Sequence, residues 1–174
     1  MLVEMGFIQS YTHLFGDPIV AFTVVVAGLL VASGLGAAVS ARWGRPALAR
    51  SLVALALALG LWAWLGGRLL QRLLVAAPAL HWGAAVGLLL PFGLLLGVPF
   101  PTALRHFGGE AGQVAYLWAA NGIASVVASI LAVSVAMSWG ISRVTGLAGL
   151  CYALSLALVI GPAARAAGRA RLAP

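Results

Sequence analysis

The stretch Gln113–Trp139, QVAYLWAANGIASVVASILAVSVAMSW, contains no formally charged residue. As a helix it would measure roughly 40 Å against a hydrocarbon core of ~30 Å, so it can cross a bilayer with some tilt. Within it Asn121, Ser125 and Ser129 recur every fourth residue, and Ala132 and Ala136 extend almost the same face. Residues at that spacing lie one above another, so the stripe is predicted to meet protein. Leu117, Val126, Val127, Ile130 and Leu131 cover much of the remaining circumference and suit lipid or neighbouring helices. Asn121 can make an interhelical hydrogen bond that fixes orientation, worth about 0.6 kcal/mol in a membrane. Contact with a transported solute is the competing role.

Composition agrees with that stretch. Hydrophobic residues form 63% of the chain and charged residues 7%, and the mean hydropathy is +1.10. A water-soluble domain carries about 25% charged residues, so the expected fold is an all-α, polytopic transmembrane helical bundle. The net charge of +7 comes from arginine alone, with Glu4, Asp17 and Glu110 as the acids. These arginines mostly separate apolar runs instead of forming one basic face, which points to membrane topology and away from nucleic acid. A single cysteine, Cys151, excludes an internal disulfide and leaves no zinc cluster. No cofactor is expected.

Taken in order, 1–15 is too short and polar for an independent span, and is predicted to be a partial membrane helix or an interfacial one. Its Glu4 and Gln9 would be costly in hydrocarbon without partners. Gly16-Asp17-Pro18 reads as a turn and helix start, with Asp17 capping and Pro18 in the first helical position. Five full spans are predicted over 19–41, 47–66, 75–98, 113–139 and 144–160, within a single transmembrane domain, 1–174. Gly28, Gly34 and Gly36 in the first span, and the pairs Gly83/Gly87 and Gly93/Gly97 in the third, read as close-packing surfaces. Trp62 and Trp64 suit an aromatic belt at the interface, and Pro91 can kink the third span. Pro99-Phe100-Pro101, followed by Arg105, is expected to form a turn that interrupts the helix, with docking of a partner domain as the alternative. Arg105 is a candidate ion-pair partner of Glu110. Residues 161–174 form a basic tail bearing Arg165, Arg169 and Arg171.

Five spans place successive connections on opposite sides. With an extracytoplasmic start, seven arginines (42, 45, 50, 105, 165, 169 and 171) fall on the cytoplasmic side and three (68, 72 and 143) on the other. The excess of basic residues therefore predicts a cytoplasmic C-terminus.

Several phrases carry a family resemblance: LVEMGFIQ at 2–9, LFGDP at 14–18, SGLG at 33–36, GVPFP at 97–101 and AANGIASV at 119–126. Together they resemble the bacterial polytopic membrane proteins related to spermidine synthases, over roughly residues 1–137. The resemblance implies a membrane region reminiscent of half a transporter, located in the bacterial inner membrane. It further implies aminopropyl transfer only where a soluble synthase-like domain accompanies that region. This chain has no hydrophilic α/β unit, and its three acids are too dispersed to hold a polyamine. A fragment or divided form of such a protein is the corresponding expectation.

The leading functional expectation is a noncatalytic membrane subunit that anchors and packs against protein partners, either other membrane subunits or a missing soluble domain. The alternatives are a transporter or channel-like component for a small solute, and the membrane region of an aminopropyltransferase-like protein lacking its catalytic domain. Glu4, Gln9, Asn121, Ser125 and Ser129 are the candidate buried polar or partner contacts, and Pro99, Phe100, Pro101 and Arg105 the candidate docking loop. No catalytic set is legible.

Overall fold

The computed structural model describes the backbone of residues 1–43, 46–75 and 78–172, and the side chains of these except 73–74, 78–81 and 162–172. Arg45 and the side chains of Arg165, Arg169 and Arg171, on which the topology reading partly rests, lie outside the described residues. Among the described residues there is no strand, and seven helices follow one another. They are α1 (Leu2–Phe15), α2 (Pro18–Ser40), α3 (Pro46–Val75), α4 (Pro78–Leu96), α5 (Pro99–Phe107), α6 (Ala111–Trp139) and α7 (Ile141–Leu172). Five stretches are long and apolar enough to cross a membrane: Pro18–Ser40, Pro46–Arg72, Trp82–Phe107, Ala111–Trp139 and Ile141–Gly161. The protein is a multi-pass helical membrane bundle.

The sixth apolar helix is the short one. At 14 residues α1 measures about 21 Å, less than the hydrocarbon thickness. It packs inside the bundle, touching α2, α3, α6 and α7. Phe7 and Tyr11 are fully buried there. The Phe7 ring centroid lies 5.0 Å from both Trp62 of α3 and Phe92 of α4, and Tyr11 donates its hydroxyl hydrogen to the Ala85 carbonyl of α4 at 2.8 Å. In lipid, moving an apolar side chain from acyl chains to another helix gains little transfer free energy. These ring pairs, each worth about 0.5–1.5 kcal/mol, and close dispersion contacts therefore supply the cohesion. Gly16 (φ 69°) ends α1 in the left-handed region, and the Asp17 carboxylate accepts the Ile19 and Val20 amides at 2.8 and 3.3 Å to begin α2.

Glycine sets the closest approach, between α2 and α4. A methyl group on Gly97 would run into the Ser33 carbonyl, on Gly36 into the Leu94 carbonyl, and on Gly93 into the Ala32 side chain. The serine and threonine hydroxyls, unlike that of Tyr11, donate locally. Ser10, Thr12, Thr23, Thr102, Ser129, Ser134 and Ser155 each donate to the carbonyl four residues back in their own helix. Ser33, Ser40 and Ser51 do the same three residues back.

Several expectations are corrected. The polar break at Gly66–Arg72 does not end the second span: α3 continues to Val75, with the Trp62 ring filling the space beside Gly66. Trp62 is accordingly core, while Trp64 is exposed beneath the Arg68 guanidinium, 5.7 Å away. Pro99 and Pro101 do not make a turn; they open the helix α5, because Pro at the first positions of a helix loses no hydrogen bond and supplies the right φ. Among the described residues Gly83, Gly87 and Gly34 meet nothing within 4 Å, so of the two glycine pairs in the third span the later one is seen to be close-packed. Gly161-Pro162 does not stop α7, whose backbone stays helical to Leu172.

Candidate functional site

The site follows from how loosely α6 is held. Its side chains pack at the two ends: Trp118 meets Phe100 of α5 edge-on at 4.9 Å, while Ala132 and Val135 are buried against Val144, Leu2 and Met5. Between those ends Ser125 and Ser129 are half-buried and Asn121 is exposed. Only 11% of the membrane-length window of α6 is buried, against 22–33% for the other four spans. The predicted stripe is thus buried at Ala132, half-buried at Ser125 and Ser129, and exposed at Asn121. Among the described residues the Asn121 side chain has no hydrogen-bond partner.

Beneath the middle of α6 lies a cleft of about 340 Å³. Glu4 of α1, Ser33 of α2, Asn121 and Ser125 of α6 and Cys151 and Tyr152 of α7 give it its polar lining, and Leu29, Leu96 and Phe100 its apolar wall. Its depth can be read from register. Leu29, Ser125 and Cys151 are the central residues of the spans Pro18–Ser40, Ala111–Trp139 and Ile141–Gly161, and all three line the cleft. The cleft therefore sits near mid-depth of the bundle, where an ionisable side chain is most costly unless paired or wetted. Glu4 carries a contact at 3.4 Å from one carboxylate oxygen to the Met1 amino group, and its side chain keeps 33% of its exposure.

Of the sequence-predicted polar residues, the structure brings Glu4, Asn121 and Ser125 to one cleft. Ser129 lies a turn below and donates to the Ser125 carbonyl at 2.9 Å. Gln9 is elsewhere: its side-chain oxygen is buried with no hydrogen-bond partner among the described residues. Tyr152 and Cys151 were not singled out by sequence reasoning; the signal available was their place in the middle of an apolar segment. A second cleft, about 450 Å³, lies towards the other end of α1 between α3 and α7, lined in part by Ser10, His13, Gln71, Ser142 and Thr145. The two are separated where Gly6 packs against Thr145, whose hydroxyl oxygen stands 2.8 Å from where a glycine-borne methyl would be.

Arg105 stays exposed but reaches back to the end of α2. Its guanidinium donates to the Ser40 carbonyl at 2.8 Å, the Ser40 hydroxyl at 3.3 Å and the Thr102 hydroxyl at 3.2 Å, so it closes the C-terminus of α2 and does not pair with Glu110. Phe100 is occupied by Trp118. Among the described residues no group of three or more His, Cys, Asp or Glu side chains could hold a metal ion. Comparison with family models, curated proteins and solved structures found no match to this chain.

Proposed function

We propose that this chain is a noncatalytic integral membrane subunit of the bacterial cytoplasmic membrane that packs, through the open face of α6, against a transmembrane helix of a partner protein. One observation carries the reading: Asn121 stands unpaired on the least buried span. An amide left without a partner in hydrocarbon costs free energy, so the complementary occupant is a helix that presents a polar side chain at the same depth. The mid-depth position of Glu4 supports the same reading, since a covering helix would shield both groups from lipid. A photo-crosslinking residue at Ala124, exposed beside Asn121 on the same side of α6, introduced in native membranes, is expected to give a protein adduct of one size that disappears with Asn121→Leu. Adducts with lipid alone would reject the subunit reading.

The cleft favours a second reading, a transporter or channel-like component, because solute sites in such bundles lie near the bilayer midplane. Solute flux into reconstituted vesicles that is abolished by Glu4→Gln would establish it. The resemblance to membrane proteins related to spermidine synthases supports a variant of the first reading, in which the partner is a soluble synthase-like domain. The arginine distribution supports a cytoplasmic C-terminus.

A further inference from the structure

Where α2 ends and α3 begins, a groove of about 540 Å³ is framed by Arg42, Trp43, Arg50 and Ser51 at one end and by Ala54 and Leu95 at the other. Neither the Arg42 nor the Arg50 guanidinium has a hydrogen-bond or ionic partner among the described residues, whereas one guanidinium nitrogen of Arg105, which also reaches the end of α2, donates to Ser40 and Thr102. The acids do not serve the two arginines: the ion pair found among the described residues joins Glu4 to Met1, and Asp17 caps the opposite end of α2. The groove also lies at the right depth. α2 stops at Ser40 and α3 starts at Pro46, so Arg42 and Trp43 occupy the headgroup level, while Ala54 and Leu95 lie within apolar helices. Trp43 is half-exposed there, as an aromatic ring at a membrane interface commonly is.

We infer that this groove is a binding site for an anionic glycerophospholipid, with a phosphodiester held between Arg42 and Arg50 and the first acyl carbons lying along Ala54 and Leu95. Guanidinium groups match phosphate oxygens in charge and in fork geometry, and a basic recess between membrane helices selects anionic headgroups. The apolar floor distinguishes a lipid from a free phosphate, which would leave that floor uncovered.

The test is a lipid-binding titration of the purified chain in neutral detergent, read by native mass spectrometry, with dioleoyl phosphatidylglycerol and dioleoyl phosphatidylcholine as probes. The wild type is expected to hold the anionic lipid about tenfold more tightly, and R42A/R50A to lose that preference. R42K/R50K, which keeps the charge but not the fork, should retain part of it, and R68A/R72A, at the far end of α3, all of it. A preference unchanged in R42A/R50A would overturn the site. Should that double variant fail to fold, R50A alone must lower the preference, and an R50A preference equal to the wild type is the overturning result. Complete displacement of the lipid by glycerol 3-phosphate at equal concentration would overturn the lipid assignment.

Discussion

At the scale of single residues the bundle depends on absences of bulk. Gly97 lies so close to the Ser33 carbonyl that Gly97→Val must part α2 from α4, and overpacking of this kind costs about 1–3 kcal/mol. Equilibrium unfolding in mixed detergent should show that loss, whereas Gly87→Val, where nothing is within reach, should fall near the wild type. Tyr11→Phe deletes one buried hydroxyl bond to the Ala85 carbonyl and keeps the ring; the expected loss is about 1 kcal/mol by the same measurement. Sequence alone marked the glycines but could not say which faced a neighbour, because four-residue spacing defines a face of one helix and leaves its partner unstated. The same limit explains Trp62. Its position near the far end of the predicted second span suited an interface, but α3 runs past Arg68 and that ring packs against Phe7.

At the scale of elements, two helices are held by contacts that can be cut one at a time. Arg105 helps close α2, so Arg105→Ala should leave the Ser40 carbonyl with the Trp43 amide alone and speed amide exchange in residues 41–43, with a stability loss of about 1 kcal/mol. Hydrogen exchange followed by mass spectrometry separates this local effect from global loosening. α6 is pinned by Trp118 above and by Ala132 and Val135 below. Ala132→Leu inserts bulk at a fully buried contact and should release the lower pin, raising exchange in α6 and α7 more than in α2 and α4. The Asp17 cap and the Pro18 start were legible because capping is a local matter of a few residues. The prolines at 99 and 101 misled because Pro both stops a helix and starts one, and only the chain geometry at Gly97-Val98 decides between them.

For the whole molecule, five membrane-length helices were written in apolar runs and the structure keeps them, whereas the inward packing of the short α1 was not decided by its sequence, which left it partial or interfacial. The mid-depth cleft was not, since it joins Glu4 to Asn121 and Tyr152 through packing of helices distant in sequence. The proposed orientation gives a further expectation. An alkaline phosphatase fusion in the turn at Gly16 should be active and a fluorescent protein at the C-terminus should mature; the opposite pattern would invert the topology. The self-contained bonding of the serines and threonines carries a consequence for biogenesis. Because each of those hydroxyls already answers to a carbonyl of its own segment, a newly made stretch can leave the ribosome and partition into lipid before its neighbours exist. Assembly can then be a later rearrangement of finished rods, tolerant of the order in which they arrive.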